Sequence, residues 1–216
     1  TTGANNIAIG QEAMRYNTSG GTTTAVGYQA LLDNTTASQN TAIGGYALAN
    51  NTTGISNTAL GFGAGYTNTI ASNVTFVGEG AGYYSTGESN TFIGKDSGVN
   101  VTTGAKNTIL GRYNGNQGGL DIRTSSNNIV LSDGDGNPRI TANSNGQVSV
   151  GDSVAYGGVG YTNTQFTVNA DNNDYSSALR STTTTTGNAY GLFISYVNVT
   201  PNGTGNQFIT CNDSSL

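Results

Sequence analysis

A five-residue word, Asn40-Thr41-Ala42-Ile43-Gly44, returns with small changes along half of the chain and constrains its fold more than any other feature. It reappears as Asn57-Thr58-Ala59-Leu60-Gly61 and as Asn90-Thr91-Phe92-Ile93-Gly94. The closing glycines are Gly10, Gly27, Gly44, Gly61, Gly78, Gly94 and Gly111, spaced by 17 residues apart from one step of 16. A fixed short period means stacked supersecondary units, none of which buries its apolar side chains alone. The expected fold is all-β: a short-coil β-solenoid (β-roll) of about seven 17-residue repeats over residues 5–111.

The columns of the repeat carry the physics. Before each glycine stands Ile9, Val26, Ile43, Leu60, Val77, Ile93 or Leu110. One position earlier stand Ala8, Ala25, Ala42, Ala59, Phe76, Phe92 and Ile109, and before them Ile7 and then six threonines, Thr24 to Thr108. Thr and β-branched residues closed by Gly read as a short strand ended by a turn. Adjacent strand residues face opposite ways, so both faces are apolar. We expect Ile43 and its column to point into the coil and Ala42 and its column to point out. Three residues after each glycine, the small column Ala13, Ala30, Ala47, Ala64, Ala81, Ser97 and Asn114 reads as a second short strand. Segments such as Asn51-Thr52-Thr53-Gly54 and Thr102-Thr103-Gly104 read as the second turn. Seven coils stacked ~4.7–4.9 Å apart span on the order of 33 Å. So narrow a coil holds too little core to stand alone. The surplus face, Ala42, Ala59, Phe76, Phe92 and Ile109, is expected to pack on other copies of the chain, with a three-fold ring sharing the axis as a homotrimer.

Composition agrees with a narrow-cored, ordered β protein. Charged residues make up only 9% and hydrophobic residues 34% of the 216, against roughly 25% and 45–50% in typical domains. Disorder at such hydrophobicity goes with high net charge and few aromatics, whereas the net charge here is −5 with 12 Tyr and 6 Phe. An acidic chain with seven scattered basic residues argues against a nucleic-acid partner, which needs a basic face. No run of 18 apolar residues occurs, so no membrane insertion is expected. The chain begins at Thr1 without Met and stops at Leu216 inside continuing β sequence, and we take it as a fragment of something longer. Cys211 has no partner cysteine and reads as a small half-buried residue of Phe208-Ile209-Thr210-Cys211.

The period breaks after Gly111. Residues 112–151 read as the solenoid cap and a β-hairpin region, with Asn128-Ile129-Val130-Leu131-Ser132 as the next strand-like copy. Residues 152–163 read as a Gly-rich linker. Residues 164–216, with short alternating runs such as Gln165–Asn169 and Tyr190–Val197, read as a C-terminal, β-sandwich-like domain.

Candidate chemistry is sparse. Without His there is no His-based triad, metal site or proton shuttle. Asp133-Gly134-Asp135-Gly136-Asn137 opens like a calcium loop, but Pro138 stands where that loop needs Gly and Ser144 where it needs a bidentate Glu. It reads as a turn. The acids Glu12, Glu79, Glu88 and Asp96 occupy different columns, so no carboxylate pair for glycan hydrolysis converges within the repeat. The expectation is no enzyme, no cofactor and no metal. The strand threonines invite comparison with flat ice-binding arrays; the simpler reading is Thr hydrogen-bonded to its stacked copy. Glycosylation-like triplets, Asn34-Thr35-Thr36 and Asn51-Thr52-Thr53, follow from the Asn/Thr richness. Tyr28, Tyr46, Tyr66, Tyr83, Tyr84 and Tyr113 fall in or near turns, and about half of the tyrosines are expected to be structural. Tyr161, Tyr175, Tyr190 and Tyr196, in the C-terminal domain, are candidate glycan contacts, since aromatic rings stack on sugar faces.

The Asn-Thr-Ala-Ile-Gly-x-x-Ala-Leu unit at 40–48, echoed at 57–64, resembles the repeats of phage tail fibres of the cyanophage and marine-phage type. It is also similar to the head repeats of trimeric autotransporter adhesins, whose coils stack into a left-handed β-roll. The stretch Asn128 to Arg139 looks like the segment that follows such repeats in phage fibres and leads to a receptor-binding tip or a self-cleaving, endosialidase-type chaperone. That chaperone is not visible here. The likeness covers about residues 5–151, and the longer repeat and missing basic neck, coiled coil and anchor favour the phage type. It implies a rigid homotrimeric shaft in the virion, with a distal domain attaching to a host cell-surface glycan or protein and with other tail or baseplate proteins as partners. A bacterial surface adhesin or extracellular filament is the alternative, and a glycan-cleaving tailspike a second. Avidity from several weak sites would carry attachment.

Overall fold

Each copy of the word forms a three-residue strand, because Thr and the aliphatic residues favour extended backbone and the glycine ends it. In the computed structural model, which describes residues 2–150, these are β1 (Ile7–Ile9), β2 (Thr24–Val26), β3 (Thr41–Ile43), β4 (Thr58–Leu60), β5 (Thr75–Val77), β6 (Thr91–Ile93) and β7 (Thr108–Leu110). They pair in parallel and in strict register, Thr41 on Thr58 and Ala42 on Ala59, each rung with its sequence neighbours. The result is an all-β solenoid of about seven turns, with no helix among the described residues. β10 (Ile129–Ser132) adds a further parallel rung on β7, and β11 (Pro138–Ala142) and β12 (Val148–Val150) extend the sheet in antiparallel fashion. A small hairpin, β8 (Asn116–Gln117) with β9 (Leu120–Asp121), occupies the excursion between β7 and β10. Tyr113 is buried above it and donates from its hydroxyl to the Leu120 carbonyl at 2.7 Å. The linker read at 152–163 and the domain read at 164–216 lie outside the described residues.

The expected second strand is not there. After each glycine the chain runs through linked turns, in which alternate amides stay inside the coil and the others reach a neighbouring coil. In the third coil, Ala47 N–H donates to Gly44 O (3.3 Å) and Ala49 N–H to Tyr46 O (3.3 Å), whereas Leu48 N–H donates to Ala64 O of the next coil (3.0 Å). This zigzag requires left-handed backbone at alternate positions: φ is 61° at Tyr46 and 49° at Leu48, with the same at Gln29 and Leu31. A non-glycine residue there costs roughly 1–2 kcal/mol. Full burial of Leu31 and Leu48 returns about 1.5–3 kcal/mol each, which offsets the strain.

The strand faces are also the reverse of the expectation. Ala42, Ala59, Phe76, Phe92 and Ile109, expected on a shared interface, are fully buried inside their own coils, and the Ile43 column points out. The reason is the width of the coil. Its interior takes about one large side chain per rung, from either wall, except in the fourth coil, where Ala59 and Gly65 are both small and Leu48 and Phe76 of the adjoining coils reach in. Opposite Ala25 and Ala42 the turn wall supplies Leu31 and Leu48. Where the strand supplies Phe76 or Phe92, the turn wall recedes to glycine. A Cβ at Gly82 would stand 2.7 Å from the Phe76 ring, and one at Gly98 2.5 Å from the Phe92 ring. The two phenylalanines stack on each other, 5.2 Å apart at 22°.

Two buried asparagine columns hold the corners. Asn40, Asn57, Asn90 and Asn107 precede their strands, and each side-chain oxygen accepts from the backbone N–H of the equivalent residue one coil on, at 2.8–3.1 Å. Their amide groups donate to the corner carbonyls of Gly54, Ala71, Gly104 and Ser125. Asn34, Asn51 and Asn68 form the second column, donating to the carbonyls of Ala37, Gly54 and Ala71 at 3.0–3.1 Å. These amides occupy buried backbone groups that the short strands leave unpaired.

Candidate functional site

Two surfaces stand outside what the coil needs for its own stability. The first is the outer face of the parallel sheet. The first and third residue of every strand point outward, giving a column of threonines beside a column of aliphatic side chains. Ile9, Leu60 and Leu110 are 60%, 46% and 50% exposed. Among the described residues the hydroxyls of Thr24, Thr41, Thr58, Thr75, Thr91 and Thr108 have no protein hydrogen-bond partner, contrary to the expected Thr-to-Thr pairing. In-register stacking aims them all outward. The threonines that do bridge coils sit at the corner: the Thr18, Thr35 and Thr52 hydroxyls donate to carbonyls 17 residues on, at 2.8–3.0 Å.

The second surface is the flank just past the strand-ending glycines, where aromatic rings run across successive coils. Tyr28 meets Tyr46 edge-on at 5.1 Å, Tyr46 meets Phe62 at 5.5 Å, Tyr66 stacks on Tyr83 at 4.9 Å, and Tyr83 meets Tyr84 at 4.8 Å. Of these rings Tyr46 alone sits at a left-handed position of the turn, half-buried on the flank, while Leu48 two residues on is fully buried. The adjoining Tyr46 raises the Tyr28 hydroxyl above its ordinary pKa, and burial followed by the neighbouring Tyr66 raises that of Tyr83. Two clefts open between the rings. One, of about 260 Å³, lies between Phe62, Tyr83 and Tyr84 with Glu79 and Asp96 on its rim. The other, of about 200 Å³, lies between Tyr46, Phe62, Tyr66 and Tyr83.

The acids read from sequence fall as follows. Glu79 and Asp96 are brought to one cleft, each facing a cation from the next coil: Lys95 at 3.0 Å from Glu79 and Arg112 at 3.7 Å from Asp96. Glu12 pairs with Arg15 and accepts from Gln29 at 2.5 Å. Glu88 is exposed elsewhere on the coil. The calcium-like stretch is a hairpin turn between β10 and β11. Asp133 Oδ1 accepts from the Asp135 and Asn137 amides (3.0 and 2.9 Å), and Oδ2 from the Arg139 guanidinium. The Asn137 amide foremost, then Arg139, holds the carboxyl far below the usual carboxylate range. Among the described residues no group of three His, Cys, Asp or Glu converges on a metal position, and no helix is long and apolar enough to cross a membrane.

Tyr161, Tyr175, Tyr190 and Tyr196 lie outside the described residues, as does Cys211. Sequence reasoning noted the turn tyrosines singly and missed the row they make with Phe62. The signal was present: Tyr28 and Phe62 share one column and Tyr66 and Tyr83 another. It also passed over Asn34 and Asn51, which are buried hydrogen-bonding residues rather than surface acceptors. Comparison with protein-family models, with characterised proteins and with solved structures returns no match.

Proposed function

We propose that the chain is a segment of a homotrimeric phage tail fibre: residues 5–151 form a rigid shaft, and residues 164–216 a distal domain that engages a host-surface glycan or protein. The exposed aliphatic column beside the threonines supports this reading most. Covering a half-exposed Ile, Val or Leu contributes roughly 1 kcal/mol. Eight such positions, Ile9 through Leu131 on successive rungs, together reach the ~4–15 kcal/mol that association costs. A face that repeats on every rung suits a partner that repeats with the same rise, which is another copy of the chain. Such a shaft sits outside the cell, in the virion, and docks at its other end on tail or baseplate proteins. Attachment through three copies multiplies weak contacts into avidity.

Sedimentation equilibrium tests the assembly. The expected mass is three times the 22.0 kDa of one chain, and a well-folded monomer would overturn the shared-face reading. Leu60→Asp, on the outer column, should dissociate the assembly while the β signal of circular dichroism persists. Thr53→Asp, at an exposed turn, should leave the mass unchanged.

A further inference from the structure

The aromatic flank is a site the shaft does not need. Columns that build the coil vary only among apolar and small residues that trade volume inside it, whereas the positions of the rings take residues of every kind. Phe62 stands where other coils carry Gly45, Glu79, Lys95 or Arg112; Tyr83 where they carry Ala49 or Val99; Tyr84 where they carry Asn50 or Thr67. The coil folds with any of these, so its stability does not explain three large rings on adjoining rungs, with Phe62 58% and Tyr84 51% exposed. Glycines hold the clefts open. A Cβ at Gly63 would meet the Tyr83 ring at 3.1 Å, and one at Gly80 would meet Asp96 Oδ1 at 2.7 Å.

We propose that these two adjoining clefts, which share Phe62 and Tyr83, bind a neutral oligosaccharide on the side of the solenoid. Three observations select that class. The ring faces offer apolar platforms for the C–H faces of a pyranose. The rim offers carboxylate oxygens of Glu79 and Asp96 and phenolic hydroxyls, acceptors and donors for sugar hydroxyl groups. The two carboxylates are matched by Lys95 and Arg112, so the rim has no surplus charge to draw an ion. Clefts of about 260 and 200 Å³ fall below the ~300–1,000 Å³ of drug-sized sites, and each fits one ring unit rather than a large ligand. The proposal stands whether or not three chains share the outer sheet face.

Titration of the full chain with neutral di- and trisaccharides of hexose and N-acetylhexosamine, followed by tyrosine fluorescence and by saturation-transfer NMR, tests it. At least one of these sugars should give a saturable response with Kd on the order of 1 mM. Phe62→Gly, Tyr83→Ala and Tyr84→Asn each install a residue that another coil already carries at that column, so the fold should persist. Each should weaken binding about tenfold or more, with an unchanged thermal midpoint. No response from any sugar, a response that survives Phe62→Gly, or tighter binding of an acidic sugar would overturn the proposal. So would a change of sedimenting mass in these variants, which would make the flank an interface between copies.

Discussion

At the scale of single residues, the coil is governed by one volume shared between two walls. Leu48 opposite Ala42 and Gly98 opposite Phe92 are two solutions to the same constraint, and they make exchange of large for small testable. Ala42→Phe alone overpacks the third coil and should cost about 1–3 kcal/mol. Leu48→Gly alone empties it and should cost about 2–5 kcal/mol, less the left-handed strain that it relieves. Combined, the two rebuild the Phe92–Gly98 arrangement, and the double variant should recover at least ~1 kcal/mol relative to the sum. Denaturant unfolding of the four proteins measures the coupling, and simple additivity would refute the shared-volume account. The asparagines show the complementary rule. Asn57 fills little space but carries both a donor and an acceptor to buried backbone, and a hydrocarbon of its size would leave two groups unpaired.

At the scale of elements, the strand was legible because period and propensity agree: Thr, an apolar residue, an aliphatic residue and Gly every 17 positions leave few other readings. Which face of the strand is the inside was not. Both columns are apolar, and Ala42 is small enough to look like surface until Leu48 is seen to occupy its space. The turn wall was misread as a strand because nothing in Gln29-Ala30-Leu31 announces left-handed backbone; the glycines at the same positions in later coils, Gly63, Gly65, Gly80, Gly82 and Gly98, betray it. The aromatic flank was only half legible, since Tyr28 and Phe62 share one column and Tyr66 and Tyr83 another, while Tyr46 and Tyr84 join them from two more. At the far end, the β10–β11 turn hangs on one carboxylate. The folded pKa of Asp133 is depressed, so its stabilising effect is complete above the unfolded value of ~3.9. It is lost as pH falls through the lower folded value. Amide protection factors in β11 should therefore drop on acidification while those of β3–β6 hold, and Asp133→Asn should lower β11 protection at neutral pH and remove the acid dependence. An acid response shared equally by all strands would point to a different group.

At the scale of the whole solenoid, covalent bonds run around the coil and hydrogen bonds run along the stack. Tension applied between its two ends therefore acts along the weaker set, and it meets each rung singly rather than all rungs at once. The terminal rung has a neighbour on one side only, as β1 does, and it should peel first. Each detached coil releases 17 residues of slack, roughly 55 Å of new length. Optical-tweezers extension of the chain should give a sawtooth of nearly equal steps of that size, with matching recoil as coils wind back. A single all-or-none rupture would contradict it. A solenoid built this way should give under load a coil at a time and take up the slack again, yielding in steps where a globular core would rupture.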